Sequence, residues 1–512
     1  MRFETSHNNK ILTLVDATTL ERKQLSLSLT KKLEHYNFLP PAVKAKWNGI
    51  ISYFHKDKYV PIGLWQELKT IAETYKYPLE ITGLGDAIFY KDVSKKEFQE
   101  WVDEKFYGAT NSKGEPFIPR DYQVETAYKI LTNKLSISEL TTAAGKSLII
   151  FICIVFFQER SISNKFLMIV PSIDLVIQAY ENFHEYNSFL LAENRFPLNI
   201  KQIHGGEKKD FLAKQNIHIG TFQSLAKFQN NYFALFDTII VDEAHRSKAT
   251  SIKDCISKCI NAERRFGLTG TIPKQGTLDS LTLQAYLGPK VMEIKAKELQ
   301  DKGDIAQIDI AIVEFIYPED IRKRFDDIKT TMKGQDKGKL LKIEQDFVIQ
   351  YEPRKETISK IVSKIEKNQL VLFHRKSHGK LLKNYLEENT DKEIHFIYGE
   401  IKTDVRSDIK TLMKSGKNKV LVASYGTLGT GLDITNIHNI HFTESFKSDV
   451  IVRQSIGRGL RNHKDKDKLR LYDYVDCLNS KGDNMLKNHS RIRKSIYKDQ
   501  QFNYIIKKVS LG

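Results

Sequence analysis

Seven consecutive residues, Thr141-Thr142-Ala143-Ala144-Gly145-Lys146-Ser147, bring together the types that hold a polyphosphate. Such a cradle needs backbone N–H groups turned inward, a lysine for the terminal phosphates and a hydroxyl for magnesium. Gly145 permits the tight turn, Lys146 supplies the cation and Ser147 the hydroxyl, while Thr142, Ala143 and Ala144 offer backbone donors. The pattern departs from G-x-x-x-x-G-K-[ST] at its first glycine, where Leu140 stands. Taken alone, Ala144–Ser147 is equally compatible with a chance turn before a helix, so partner residues must decide.

The strongest partner is Asp242-Glu243-Ala244-His245, which follows the apolar run Thr238–Val241. Asp242 would hold the metal, and Glu243 would orient and deprotonate an attacking water. His245 could sense the terminal phosphate. A strand followed by a capped helix also favours acids, but the upstream loop tips the balance toward chemistry. Further along, Gln454, Arg458 and Arg461 are spaced by four and three, which places them near one face of a helix. Arginines presented there can neutralise charge on a transferring phosphoryl group, an effect of roughly 10³ to 10⁵ in rate. The glutamine amide of Tyr122-Gln123 matches the donor and acceptor edge of adenine, with Tyr122 beside it to stack or pack.

These groups need a scaffold with strand ends close together. Leu148–Phe157 reads as a buried helix whose N-terminus adds its dipole to the anion site. Lys165–Val170, ending at Pro171-Ser172, and Ile217–Ile219, ending at Gly220-Thr221, read as buried strands. Arg265–Leu268 leads into Thr269-Gly270-Thr271, whose hydroxyls could link the nucleotide to a second domain. Alternating strands and helices predict a parallel α/β sheet, with ligands at the strands' carboxyl ends. A second such pattern starts near residue 300. It has a charged helical stretch over Pro318–Lys367, then strands at Leu370–Phe373, His395–Tyr398 and Val420–Ala423. The glycine- and threonine-rich Ser424–Asp433 follows, and Leu469–Val475 reads as the strand that finishes this sheet. Arg491, Arg493 and Lys494 lie on a helix that is either a solvated face or a DNA grip.

The first 105 residues carry no catalytic constellation. Ile11–Val15 predicts a strand, Glu21–Tyr36 a helix and Ala42–Phe54 a strand; Tyr59–Leu64 leads into a helix ending near Tyr75. Lys46 and Trp47, with Tyr53, Phe54 and Tyr59, suit phosphate contact and base stacking. The same aromatics would equally make the core of a small α+β domain. Residues 106 to 118 read as a linker.

The 512 residues suffice for about three domains. A hydrophobic share of 41% and a charged share of 28% describe an ordinary globular chain. The net charge of +17 favours a polyanionic partner, although a lysine-rich composition alone would also produce it. None of the four cysteines forms a C-x-x-C pair, so neither a zinc site nor a disulfide framework is indicated, and Cys255 and Cys259 read as two buried thiols on one helix face. Met1–Lys10 is polar and reads as no secretory signal, and the ten-residue apolar run is too short to span a bilayer. These features predict a cytoplasmic protein with no membrane partner.

In order along the chain, Tyr122-Gln123, Gly145-Lys146-Ser147, Asp242-Glu243-Ala244-His245, Thr269-Gly270-Thr271, Thr430-Gly431-Leu432-Asp433 and Gln454-x-x-Gly457-Arg458-x-x-Arg461 resemble the motifs of a superfamily 2 helicase. Within it, Lys46-Trp47-Asn48-Gly49, Val60–Leu64, Thr142–Ser147 and Gln501–Tyr504 are similar to the recombination and repair helicases of T-even phages. Thr141, where those helicases often have proline, and Ala-His in place of Cys-His are departures.

The resemblance implies an α/β fold: two tandem RecA-like parallel-sheet domains with a small N-terminal α+β domain. The divisions expected are 1–105, 106–298 and 299–512, the last with a helical tail. It implies ATP and Mg²⁺ as cofactors. Gln123 would read adenine, Lys146 and Ser147 would hold phosphates and metal, Gly431 and Asp433 would line the nucleotide, and Arg458 and Arg461 would act as fingers. Pro171, Thr221 and Thr427 fall where the family contacts the nucleic-acid backbone. The partners implied are DNA (branched, duplex or single-stranded), RNA within RNA–DNA hybrids, and recombination or single-strand-binding proteins around a monomeric motor in the host cytoplasm. The activity implied is ATP-dependent unwinding of branched DNA: fork reversal, junction migration, and R-loop or D-loop removal. Two alternatives stay open: an RNA helicase or restriction-type motor subunit, and a nucleic-acid binding or annealing protein whose ATP site only switches affinity.

Overall fold

The computed structural model describes the chain except residues 7–9, 34, 35, 37–39, 91, 205–213, 245–248, 333–336, 400–404, 406, 407, 410, 414, 415, 429–433, 435 and 464, and the side chains of 249–252 and 428. By contacts the chain forms two compact units: Met1–Leu140 with Ala144–Glu293, and Thr141–Ala143 with Ile294–Gly512. Each is built on a seven-stranded parallel sheet, and a small mixed sheet belongs to the first. The expected α/β architecture is therefore present.

In the first unit the strand order is Lys290–Ile294, Leu135–Leu140, Arg264–Thr269, Thr238–Asp242, Phe166–Val170, Ile217–Thr221, Ile200–Ile203. The inner strands are buried on both faces, so they carry unbroken apolar runs such as Phe166–Val170. Leu140, at the position of the missing glycine, is the last residue of its strand and fully buried. Arg264–Thr269 lies between the strand that feeds the phosphate-type loop and the strand that ends in Asp242, pairing Leu268 with both Ser138 and Asp242. Both ends therefore emerge at one edge of the sheet, on either side of a single strand.

The N-terminal sheet has the order Tyr59–Pro61, Ile11–Asp16, Arg2–Thr5, Glu80–Thr82. Its core, including Phe3, Leu12, Leu25, Tyr53, Phe54 and Val60, is continuous with Leu278, Leu281 and Ala285 of the helix Leu278–Leu287. The Tyr53 hydroxyl lies 2.6 Å from Thr282 Oγ1, and Gly63 sits so close to the same helix that a Cβ there would be 2.1 Å from the Gln284 carbonyl oxygen.

Three expectations in and next to this region need correction. The helix runs over Thr19–Leu29 and not to Tyr36, because the Thr18 capping box starts it early and Thr30–Lys32 continues as a strand. The strand over Ala42–Phe54 shrinks to Ile50–Ser52, because Pro41 at the first helical position turns Pro41–Lys44 into a helical turn. Residues 106–118 are not a free linker: Phe106 and Ala109 are buried, and the Phe117 ring stacks on Tyr186 at 5.8 Å.

The second sheet has the order Ile394–Ile397, Val420–Ser424, Gln369–Phe373, Asn439–Phe442, Lys468–Cys477, Gln307–Ile316, Tyr504–Ser510. Lys468–Cys477 does not finish it, since two further strands lie beyond. The charged stretch forms three helices, Glu319–Thr331, Lys337–Gln350 and Glu352–Ser363.

Arg493 is neither solvated nor available to DNA. On the helix Met485–Asp499 it is fully buried, donating to Asp473 Oδ2 at 3.0 Å, Asp473 Oδ1 at 2.6 Å and the Phe446 carbonyl at 2.7 Å. A second buried arginine, Arg354, pairs with Asp476 and donates to the Thr443 carbonyl at 2.7 Å. All four cysteines are free and buried.

Replacing Gly63 by alanine should wedge the N-terminal domain off the helix Leu278–Leu287, since the obstructing atoms are backbone. We expect about 1–3 kcal/mol of destabilisation, the usual range for overpacking, read by urea denaturation. A second expectation concerns pH. His218 is buried, its Nδ1 2.7 Å from the Tyr232 hydroxyl and its Nε2 3.2 Å from the Gln215 carbonyl, which assigns the proton to Nε2. Burial pushes its pKa down to about 4. Between about pH 6.5 and 4 the unfolded state then binds the extra proton, so stability falls as pH falls, by at most about 1.4 kcal/mol per pH unit. His218→Gln keeps a donor and an acceptor but removes this contribution. Denaturation midpoints across that window should slope less in the variant.

Candidate nucleotide site

Gly145 caps the helix Lys146–Glu159 with φ +72, a left-handed conformation that a side chain would strain. A Cβ at this position would also stand 2.4 Å from Gln123 Nε2. The close approach is used: Gln123 Nε2 donates to the Ala144 carbonyl at 3.1 Å, as does the Tyr122 hydroxyl at 3.1 Å. Gln123 Oε1 accepts from the Arg120 N–H at 2.9 Å. Both side chains are buried. Tyr122 and Gln123 thus brace the turn that holds Gly145, whatever else they contact. Thr142 and Ala143 are half-buried, and Ala144 is fully buried.

Lys146 opens the helix and is 7% exposed. Its Nζ lies 3.1 Å from Glu243 Oε1. The Ser147 hydroxyl lies 3.0 Å from the Tyr186 hydroxyl and accepts from Asn182 Nδ2 at 3.2 Å. Asn182 and Tyr186 were not singled out in the sequence. Their only signal there is a spacing of four on the helix Ile173–Phe189, which puts polar groups on one face.

Asp242 ends its strand and accepts the Glu243 N–H at 2.9 Å. Burial first, and then the adjacent Glu243 carboxylate, push Asp242 up to about 7, against the opposing pull of Lys146. Glu243 itself has φ +50, a conformation uncommon outside glycine. A carboxylate held up by burial and by a like charge is stabilised by added positive charge, so Asp242 suits a hard divalent cation that keeps most of its water. Among the described residues no group of three His, Cys, Asp or Glu side chains could hold a metal by itself. His245 lies outside the described residues.

Other proposed contacts fall into separate places. In the first unit, Pro171 follows the strand Phe166–Val170 and is half-buried. Thr221 is buried at the end of its strand, accepts the Ser224 N–H at 3.2 Å and caps the short helix Phe222–Leu225. Thr269 turns its hydroxyl to the Thr271 carbonyl at 2.8 Å. Lys46 is exposed, while Trp47 is half-buried, edge-on to Tyr36 and donating to the Ile50 carbonyl at 3.1 Å. Tyr53 and Phe54 are core residues.

In the second unit, Gln454 and Arg458 lie on the helix Asp449–Gly459, and both are half-buried. Arg461 follows the cap residue Leu460, so helical spacing covers only the first two. Thr427 is buried and donates to the Ser424 carbonyl at 2.6 Å. Gly431 and Asp433 lie outside the described residues.

A phosphate-type loop and an acidic strand end on one parallel sheet, followed by a second parallel sheet, match the tandem RecA-like domains of helicases. Two family models match: Type III restriction enzyme, res subunit, over residues 116–274, and Helicase conserved C-terminal domain over residues 353–463. The chain resembles the superfamily 2 helicases, carrying both of these domains in order, and is an ATP hydrolase. In particular it is similar to the ATP-dependent DNA helicase uvsW of Enterobacteria phage T4, 29% identical over 492 residues, 93% of each chain. Among solved structures, Mss116p bound to ssRNA and AMP-PNP matches with TM-score 0.54 at 17% identity, covering 82% of this chain and 80% of that one. The type ISP restriction-modification enzyme LlaBIII bound to DNA matches with TM-score 0.53 at 14% identity, covering 77% of this chain and 31% of that one. These two likenesses establish the fold. No helix among the described residues is long and apolar enough to cross a membrane.

Proposed function

We propose that the chain is an ATP-driven DNA helicase that works on branched DNA, reversing forks, migrating junctions and removing R-loops or D-loops. The observation that carries this reading is the extent of the likeness to uvsW, which spans 93% of both chains. That extent takes in the N-terminal domain as well as the motor. The net charge of +17 supports a polyanionic substrate.

In this reading Lys146 and the backbone N–H groups around Gly145 hold the β- and γ-phosphates of ATP. Ser147 and Asp242 would hold Mg²⁺, which would supply charge neutralisation on the phosphoryl oxygens. Glu243 orients a water and takes its proton. Lys146 is the group that phosphate and Glu243 compete for, so bound phosphate would free the Glu243 carboxylate for that task. Gln123 and Tyr122 stand beside the base, Gly431 and Asp433 line the nucleotide, and Gln454, Arg458 and Arg461 offset charge on the phosphoryl group in flight. Pro171, Thr221, Thr427, Lys46 and Trp47 contact nucleic acid.

The test is steady-state ATP hydrolysis with no nucleic acid, single-stranded DNA, plain duplex, forked DNA and RNA, with Lys146→Ala as control. Forked DNA should stimulate most, and the variant should lose at least tenfold of the stimulated rate. Stimulation by RNA alone would replace this reading with that of an RNA helicase. Strand annealing with no stimulated hydrolysis would replace it with that of an ATP-switched binding protein.

A further inference from the structure

The helix Asp449–Gly459 ends where its function, in the reading above, begins. Helix C-termini leave their last carbonyls without intrahelical donors. Here three successive carbonyls at the end of the helix, those of residues 459–461, are all satisfied. The Leu460 carbonyl accepts the Ala306 N–H at 2.8 Å. Those of Gly459 and Arg461 are both taken by Lys466 Nζ, at 3.0 and 2.7 Å. Lys466 belongs to no motif and is only 8% exposed. Burying an ammonium is costly, and it lies near the Arg461 guanidinium. Burial first, then that like charge, push its pKa down to about 7. A solvated helix end would need no such residue.

The preceding end of the segment is fixed as well. Arg493 donates to the Phe446 carbonyl at 2.7 Å, Ser448 caps the Ile451 N–H at 3.4 Å, and Arg453 pairs with Asp449 and Asp499 at 2.7 and 2.8 Å. Lys466 therefore ties down the stretch of backbone 459–461, which carries Arg461 and directly follows Arg458.

We propose that Lys466 is a positioning residue for the arginine pair, its ammonium locking the Gly459 and Arg461 carbonyls so that Arg458 and Arg461 are held ready for the transferring phosphoryl group. This rests on the reading of those arginines given above. A side chain that only stabilised the fold would lower the melting temperature and leave turnover of the folded enzyme alone. A positioning residue changes kcat with little effect on KM for ATP.

The experiment uses the full chain with saturating DNA and an ATP titration on Lys466→Met, Arg458→Ala and the double variant, with thermal melting alongside. Lys466→Met should lower kcat at least tenfold, with KM within threefold and melting within a few degrees. The two losses should fall well short of multiplying in the double variant, because Lys466 acts in part through Arg458. Full turnover in Arg458→Ala would overturn the reading of the arginines. Lost turnover in Arg458→Ala with kcat within twofold of the parent in Lys466→Met would overturn the positioning role alone, as would losses that multiply in full in the double variant. If Lys466→Met does not fold, Lys466→Gln, which keeps N–H donors on a shorter stem, is read by the same criteria.

Discussion

The contact on which the first unit depends is that between Lys146 and Glu243. A lysine and a glutamate, 8% and 13% exposed, can sit 3.1 Å apart only if two chain segments are delivered to one point with little freedom. Removing either charge would leave the other buried without its counter-ion, which costs far more than the pair contributes. The sheet provides the delivery. Leu135–Leu140 and Thr238–Asp242 flank Arg264–Thr269 in register, so the turn after the first and the acids at the end of the second must face each other. Gly145 and the Tyr122-Gln123 brace set the turn, and the left-handed backbone at Glu243 sets the acid. Strain of this sort is tolerated where the surroundings over-determine it.

The second unit solves a related problem with different parts. Its charges are buried as pairs under the segment 443–461. Arg354 with Asp476 and Arg493 with Asp473 each spend one N–H on a carbonyl of that segment, and Lys466 spends two. Buried ion pairs are weak sources of stability, and what these contribute is a fixed position for the carbonyls they hold. The N-terminal domain is joined more simply, by one apolar core shared with the helix Leu278–Leu287.

Much of this was legible in the residue order, for physical reasons. Strands buried on both faces read as apolar runs, which is why Phe166–Val170 and Thr238–Val241 stood out. The phosphate-type loop and the acidic pair are local patterns, so spacing alone exposes them. What stayed hidden depends on partners distant in sequence. Arg493 reads as a surface residue until Asp473 is placed opposite it, and nothing in the run around Lys466 says that its ammonium folds back on Arg461. Asn182 and Tyr186 reach Ser147 only through the packing of a helix. The strand expected at Ala42–Phe54 failed because Pro41 outweighed β-propensity, and Tyr504–Ser510 was missed because Lys507-Lys508 cut its apolar run short, as a largely exposed edge strand allows.

The most direct test of the central claim separates binding from hydrolysis at the Lys146–Glu243 contact. Fluorescent-nucleotide binding and DNA-stimulated hydrolysis should be measured together on Glu243→Gln. The account predicts nucleotide affinity equal to or tighter than that of the parent, because Lys146 is released to phosphate, with hydrolysis reduced at least 100-fold, on the order expected when a group that positions or activates the attacking water is lost. Unchanged hydrolysis, or affinity lost in step with it, would mean that Glu243 only supports Lys146 and would contradict the account.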